Sequence, residues 1–460
     1  MTETLHRSAE LAAEIIAMRT RPLDDRDVTQ LRRLLLDHLG CCYRGACVPW
    51  GMKMRQWARQ QHTAGDAPLF ADSITAAPAI AAFVNATAAH GLELDDTHDE
   101  SITHPGAPVI AAALALAATR DCTIEEFLAA IVAGYEVIGR VGAATNAAHV
   151  VEHGFHPTSL FAGFGVVAVT AAMLQLDAAQ LQRAWGLLLS MAGGSMQFSQ
   201  ETVGTTVKRL HGGLAALHGV MAAELAVLGI DGPEQALDGR YGLLNIFGGN
   251  QDAGRLNLRH TDAPEIHRVS FKAYPCCRFF HSTLDALREV TREFTTDASY
   301  IAKYRVGGPE VLSTQHVVRR PESEMAAQYS LPFALGAASV YGPRSVDGYA
   351  ESSLQDEQVL AIADRVDVEI DDSLQQQFPD HFGSWLEIKL KDGTVRRAEV
   401  LDSIGTPANP MNTAELVAKF DSLVEPVNEN LRGADVVHAI ESVDSNEALR
   451  VLLSRFRANA

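Results

Sequence analysis

Between two apolar runs, residues 91–109 read GLELDDTHDESITHPGAPV and set Glu93, Asp95, Asp96, Asp99 and Glu100 beside His98 and His104. Carboxylates and imidazoles at this density can serve a metal site, an acid/base site or a plain solvated connection. No HExxH pair, EF-hand spacing or CxxC accompanies them, so no metal is expected. His104-Pro105 adds a direction. Proline suits the first turn of the helix that follows, APVIAAALALAA, and places His104 at that helix's positive end. An imidazole there sheds its proton readily and becomes a usable base near neutral pH.

The same device returns in HGFHPTSLFAGFG, residues 153–165, where His156-Pro157 enters a second apolar helix. A third segment, GTTVKRLHGGLAALHG (204–219), sets Lys208, Arg209 and His211 between Gly/Thr-rich backbone and a helix expected to begin at Gly212 or Gly213. That arrangement suits an anion, or a basic surface patch. It is neither a Walker loop nor a dinucleotide fingerprint. The fourth segment, FKAYPCCRFFHS (271–282), gathers Lys272, Arg278 and His281 around the Tyr274-Pro275 turn. Cys277 beside Arg278 is open to two readings, a thiol activated by a cation or a small buried filler. No GxSxG elbow occurs, which removes the simplest hydrolase chemistry.

The elements that must position these groups are mostly helical. Capping boxes at Thr123-Ile-Glu-Glu126 and Asp177-Ala-Ala-Gln180 open helices, and Ser8 is placed to cap another. Helices over 107–119, 123–146, 158–175 and 178–192 are apolar on most faces, so several must be central. The uncharged run 158–176 is about long enough to span a bilayer, but it lacks a flanking Lys/Arg cluster and is expected to be a core helix. Near residue 266 the pattern changes. VDVEI (366–370), WLEIKL (385–390) and VRRAEVL (395–401) read as strands, the last two joined by a Lys391-Asp-Gly-Thr394 turn. From Asn412 the chain is helical again. The expected fold is mainly α: a large all-helical domain from both termini (1–266 and 403–460) with a smaller inserted α/β lid (267–402).

The 460 residues are 47% hydrophobic and 21% charged, enough to bury a sizeable core. A net charge of −19 argues against nucleic acid, yet a few cations in one cleft can still hold a small carboxylate. Six cysteines, four of them in adjacent pairs, form no disulfide framework and indicate reduced thiols. The N-terminal stretch lacks the shape of a signal peptide, so a cytoplasmic protein is expected.

Taken together, AAHGLELDDTH…THPGAPVIAA, GYEV with GFHPTSLFAGFG, KRLHGGLAA, DGRYGLLNIFGG and KAYPCCRFFHS resemble the MmgE/PrpD family, in its order and across most of the chain. That family includes 2-methylcitrate dehydratase, cis-aconitate decarboxylase and iminodisuccinate epimerase. The resemblance implies a homodimer and cofactor-free lyase or isomerase chemistry on small di- or tricarboxylates, with no metal. It places active-site positions on Glu93, Asp96, Thr97, His104, His156, Lys208 and Lys272, with Arg209 and Cys277 as neighbouring substrate-binding candidates. His104 is the expected proton carrier, and Lys272 either a second base, if its pKa is lowered, or an electrostatic stabiliser. Glu93 stands where the family often has Asp. The Thr97–His104 loop is one residue longer than in the decarboxylases, and STQHVVRR (313–320) lacks their Tyr. Residues 136–155 lack the tyrosine that the epimerase carries before its HPT motif. These departures make a 2-methylcitrate dehydratase-like hydro-lyase the expected activity, with a cis-aconitate decarboxylase-like lyase or an epimerase as alternatives.

Overall fold

A computed structural model describes residues 7–200, 205–249, 251–257, 263–292, 300–314 and 317–458. Gly204 of the GTTVKRLHGG segment and Gln315 and His316 of STQHVVRR lie outside the described residues.

The helices of the first half are α1 (Arg7–Ala17), α2 (Asp25–Cys47), α3 (Pro49–Gln61), α4 (Pro78–His90), α5 (Gly106–Thr119), α6 (Ile124–Thr145), α7 (Ala147–Glu152), α8 (Pro157–Met173), α9 (Ala178–Leu189) and α10 (Val207–Val227). Both expected capping boxes form: Thr123 and Glu126 exchange hydrogen bonds at the start of α6, and Asp177 and Gln180 do so at α9. Ser8 does not cap. It lies inside α1, and its hydroxyl donates to Asp238 at 2.6 Å, the carboxylate that also accepts the Arg7 and Ser8 N–H groups. A distant carboxylate thus does the capping that a local reading assigns to Ser8.

Helices α5 and α8 bury almost every residue, as their uniform apolarity requires, and α8 is a core helix rather than a membrane span. α10 packs against α4 and α8, α6 against α8, and α4 against α5. α10 starts at Val207, five residues before the expected Gly212, because the two glycines are interior contact points and not helix breakers. A Cβ on Gly213 would meet the Thr87 hydroxyl at 2.1 Å and the Phe83 carbonyl oxygen at 2.6 Å. Only glycine lets α10 lie that close to α4.

The second half holds α11 (Leu243–Phe247), α12 (His281–Val290), α13 (Glu310–Thr314), α14 (Glu324–Gln328), α15 (Leu331–Tyr341), α16 (Glu357–Ala363), α17 (Asp372–Gln375), α18 (Thr413–Val424), α19 (Gly433–Glu441) and α20 (Asn446–Ser454). Strands β1 (Ala67–Pro68), β2 (Thr75–Ala76), β3 (Thr97–His98) and β4 (Val269–Ser270) form two short antiparallel pairs, β1 with β2 and β3 with β4. A four-stranded sheet is built from β5 (Ile301–Gly308), β6 (Val366–Ile370), β7 (Ser384–Leu390) and β8 (Val395–Val400) in the order β6-β5-β7-β8. The expected hairpin is β7–β8, and VDVEI is β6, parallel to β5. β5 is not anticipated in the sequence reading. α12 packs on β7 and β8, while α18 and α19 return to α2, and α20 to α5. The polypeptide's C-terminal helices therefore complete the helical half, and the sheet interrupts it. The fold is mainly α.

Candidate active site

The β3–β4 pairing joins Thr97 to Ser270 and His98 to Val269, which draws the acidic loop onto the segment that carries Lys272. Glu93 sits in that loop with φ 56, an uncommon backbone for a non-glycine residue. Its side chain is buried and bridges two ammonium groups. One oxygen accepts from Lys208, and the other accepts from Lys272 at 3.0 Å and from the Tyr329 hydroxyl at 3.3 Å. Both lysines are 1% exposed, so these charges are fully withdrawn from water. Lys208 also stands over the Tyr329 ring, 5.3 Å from its centroid.

Burial opposes ionisation of Glu93, but Lys208 and Lys272 outweigh it and hold the carboxyl well below its usual range. Burial works against the Lys272 charge too, yet Glu93 and Asp95 raise its pKa overall. Lys272 is therefore a firm cation, which favours the stabiliser role over the base. Burial wins at Lys208, whose pKa falls despite Glu93.

Next to this triad lies a group of imidazoles. Asp95 faces His90 Nδ1 at 2.7 Å with one oxygen and His104 Nδ1 at 3.1 Å with the other. The His104 backbone N–H donates to the Thr158 hydroxyl at 3.1 Å, tying the two His-Pro helix entrances together. The His104 and His156 rings are 6.4 Å apart, and His156 Nδ1 lies 3.0 Å from His211 Nδ1. Burial pushes His104 down to about 4, against the pull of Asp95, and His211 down to about 3; His156 is also strongly depressed. At neutral pH these three imidazoles rest uncharged.

The remaining candidates surround this centre. Asp96 turns away from it to accept the Gly106 N–H at 2.8 Å and the Tyr135 hydroxyl at 2.6 Å, so the N-terminus of α5 already holds an internal carboxyl. Burial pushes Asp96 up to about 7. The Thr97 hydroxyl donates to Asp99 at 3.1 Å. Arg209 pairs with Glu324 at 3.1 Å and stacks on Trp50. Cys277 is buried, with its thiol pushed up to about 11 by desolvation, and its N–H donates to the Gln328 carbonyl. Such a thiol is a poor nucleophile. Gln328 in turn donates to the Leu92 and Pro275 carbonyls at 3.0 and 3.1 Å, clamping the acidic loop to the Tyr274-Pro275 turn.

Among the described residues, His90, Asp95 and His104 are the trio whose ligand atoms converge, within 4.8 Å of one another. Both Nδ1 atoms are already engaged by Asp95, and two ammonium groups stand near. A dication there would have to displace both of these hydrogen bonds. The arrangement suits proton transfer and anion stabilisation better: a neutral imidazole and two buried cations bridged by one carboxylate, which leaves one positive charge in the triad.

Sequence reading singled out Glu93, His104, His156, Lys208 and Lys272, and the fold gathers them. It missed His90, which ends a bland apolar helix, and Tyr329, which no motif marks. Asp95 was in the acidic loop, without an assigned role. The position of His90, five residues before Asp95, is the one local signal that pointed to it.

Comparison with known proteins agrees in extent and order. The MmgE/PrpD N-terminal domain matches residues 9–256, and the MmgE/PrpD C-terminal domain matches residues 274–442. Cis-aconitate decarboxylase of Homo sapiens is 27% identical over 428 residues, covering 89% of this chain and 86% of that protein. Cis-aconitate decarboxylase of Aspergillus terreus is 25% identical over 440 residues, covering 89% and 88%. The cis-aconitate decarboxylase-like protein oryM of Aspergillus oryzae is 22% identical over 475 residues, covering 97% and 96%. With both halves matched in order and the motif residues gathered around one buried centre, the chain belongs to the MmgE/PrpD family.

Proposed function

We propose that the protein is a metal-independent lyase acting on a small di- or tricarboxylate, and that its reaction is a decarboxylation of the cis-aconitate type. The observation that carries the chemistry is the Lys208–Glu93–Lys272 bridge beside a neutral His104. The full-length similarity to cis-aconitate decarboxylases supports this reaction over the dehydration of 2-methylcitrate expected from the sequence departures. In such a step the C–C bond to one carboxylate breaks and leaves as carbon dioxide. The electron pair moves to a carbon next to a second carboxylate, and a proton is delivered there. Lys208 and Lys272 oppose the growing negative charge in a water-poor site. His104 is the proton carrier: the arriving polyanion adds negative charge beside it and raises its proton affinity, so the imidazole charges when substrate binds.

The inserted α/β segment is read as the lid. The Gln328–Leu92 hydrogen bond and the Arg209–Glu324 pair are among the contacts with the helical part that its opening would release. We also propose a cytoplasmic homodimer. Six free thiols support a reducing compartment. Val207, Leu210, Leu214, Leu217 and Met221, at three- and four-residue spacing on the outer side of α10, support a second copy as cover. Light scattering should then give twice 49.6 kDa.

The test of activity is incubation with cis-aconitate, citrate and 2-methylcitrate, with and without EDTA, followed by NMR. Release of carbon dioxide and a five-carbon dicarboxylate in both conditions is expected. Water loss from 2-methylcitrate without decarboxylation would return the reading to the dehydratase, and deuterium uptake without net consumption would point to an epimerase. Loss of turnover in EDTA would end the metal-free mechanism.

A further inference from the structure

Asp95 is used twice. Its two oxygens face the Nδ1 atoms of His104 (3.1 Å) and His90 (2.7 Å), and the two rings meet edge to face with centroids 4.7 Å apart. His90 is wholly buried, and its Nε2 finds no partner among the described residues. Burying a polar ring with one nitrogen unsatisfied is costly, and an apolar side chain would fill the same space without that cost. α10 also passes close to the ring. A Cβ on Gly212 of α10 would lie 3.1 Å from His90 Cβ and 3.2 Å from Cγ. Glycine at 212 therefore lets α10 pass close over the root of the His90 side chain, where a larger residue would press on the ring.

Two donors on one ionised carboxylate fix the tautomers of both rings. With its Nδ1 proton directed at Asp95, neutral His104 keeps Nε2 bare. If Asp95 turned, His104 would lose both the tautomer and the orientation. The N–H of His90 is what prevents that turn, because it occupies the second oxygen.

We propose that His90 is a positioning residue: through Asp95 it fixes the tautomer and orientation of His104. The proposal rests on the reading of His104 as the proton carrier. It extends that reading to a residue that shares the carboxylate of Asp95 with His104. The charged and titratable groups that bear on His104 are Asp95, Lys272 and His90, with Glu93 and His156 next to them. His90 bears on His104 both through Asp95 and by direct ring contact, and the carboxylate is the route by which it sets the tautomer.

The test uses the full-length protein with His90→Asn, His90→Gln and His90→Ala. Asn places its amide nitrogen near the position of Nδ1, whereas Gln places it near Nε2. Imidazole ¹⁵N spectra of the resting protein report the His104 tautomer without any substrate. Nδ1–H with a bare Nε2 is expected in the wild type and in His90→Asn, and a mixed or reversed tautomer in His90→Gln and His90→Ala. On a turned-over carboxylate, His90→Gln and His90→Ala should lower kcat about 10- to 100-fold with KM changed less than about threefold. They should also shift the pH profile, and His90→Asn should restore most of the rate. If Asn and Gln behave alike, or if His104 keeps Nδ1–H in all variants, the proposal is overturned. Should the wild type turn over no carboxylate at all, the proposed reaction fails, while the spectra still decide the role of His90.

Discussion

Replacing Glu93 with Gln removes the single carboxylate that both buried lysines share, at 3.0 Å in the case of Lys272. At that separation, with an effective dielectric of about 20, one pair is worth about 5 kcal/mol of Coulomb energy. Part of this offsets desolvation, and breaking a buried pair nets about 3–5 kcal/mol of destabilisation. A chain of this size unfolds with an entropy near 1 kcal/mol per degree, taking about 2.1 cal/mol/K per residue, so Tm should fall by about 3–5 °C. The loss should depend on pH. Because the folded pKa of Glu93 is depressed, its stabilisation is full above the unfolded carboxyl value and is lost as pH falls through the folded one. The gap between wild type and Glu93→Gln should therefore narrow in acid. Ligand supplies the missing charge. Propane-1,2,3-tricarboxylate, a saturated counterpart of cis-aconitate, should raise the Tm of the variant more than that of the wild type. Thermal unfolding at pH 7 and pH 4, with and without this ligand, measures all three effects. A variant within 1 °C of wild type, with an unchanged ligand response, would refute the claim that Glu93 stabilises the ammonium pair.

Other outcomes follow from neighbouring groups. His104→Ala should lower kcat by about 10²–10⁴-fold, and a drop below twofold would remove it as the proton carrier. Asp96 has its pKa raised to about 7, so its contribution to stability is full below the unfolded value near 3.8 and is lost as pH rises through about 7. Asp96→Asn should gain stability relative to wild type between pH 5 and pH 8 in urea titrations, and a pH-independent difference would contradict this. Gly213→Ala should cost about 1–3 kcal/mol by forcing α10 off Thr87 and Phe83, and should weaken carboxylate binding by moving Lys208. Unchanged Tm and affinity would show that the helix tolerates the shift.

What could be read from the sequence was local or uniform. The capping boxes at Thr123 and Asp177 involve residues three apart, and the apolar runs of α5 and α8 admit only burial, so these elements stood where expected. The β7–β8 hairpin carries its own turn. The start of α10 was misplaced because the local cost of Gly212 and Gly213 in a helix is plain in sequence, whereas their packing against α4 is a long-range fact. β5 lies between β6 and β7, and its partners are 62 or more residues away in pairs such as Tyr304 with Val366. The site was legible as four segments. The way in which Asp95 links His104 to His90, and the reach of Tyr329 to Glu93, depend on contacts across the fold that spacing does not encode.

The central claim is that two buried lysines and the carboxylate between them form one binding site for a small polycarboxylate. Calorimetric titration of propane-1,2,3-tricarboxylate into wild type, Lys272→Met and Lys208→Met tests it most directly, since methionine keeps the apolar stem and removes the charge. Saturable one-to-one binding to the wild type is predicted, weakened by about 10- to 100-fold in each variant, as expected for losing one charge-assisted hydrogen bond. Equal affinity in all three proteins would place the ligand elsewhere and contradict the account.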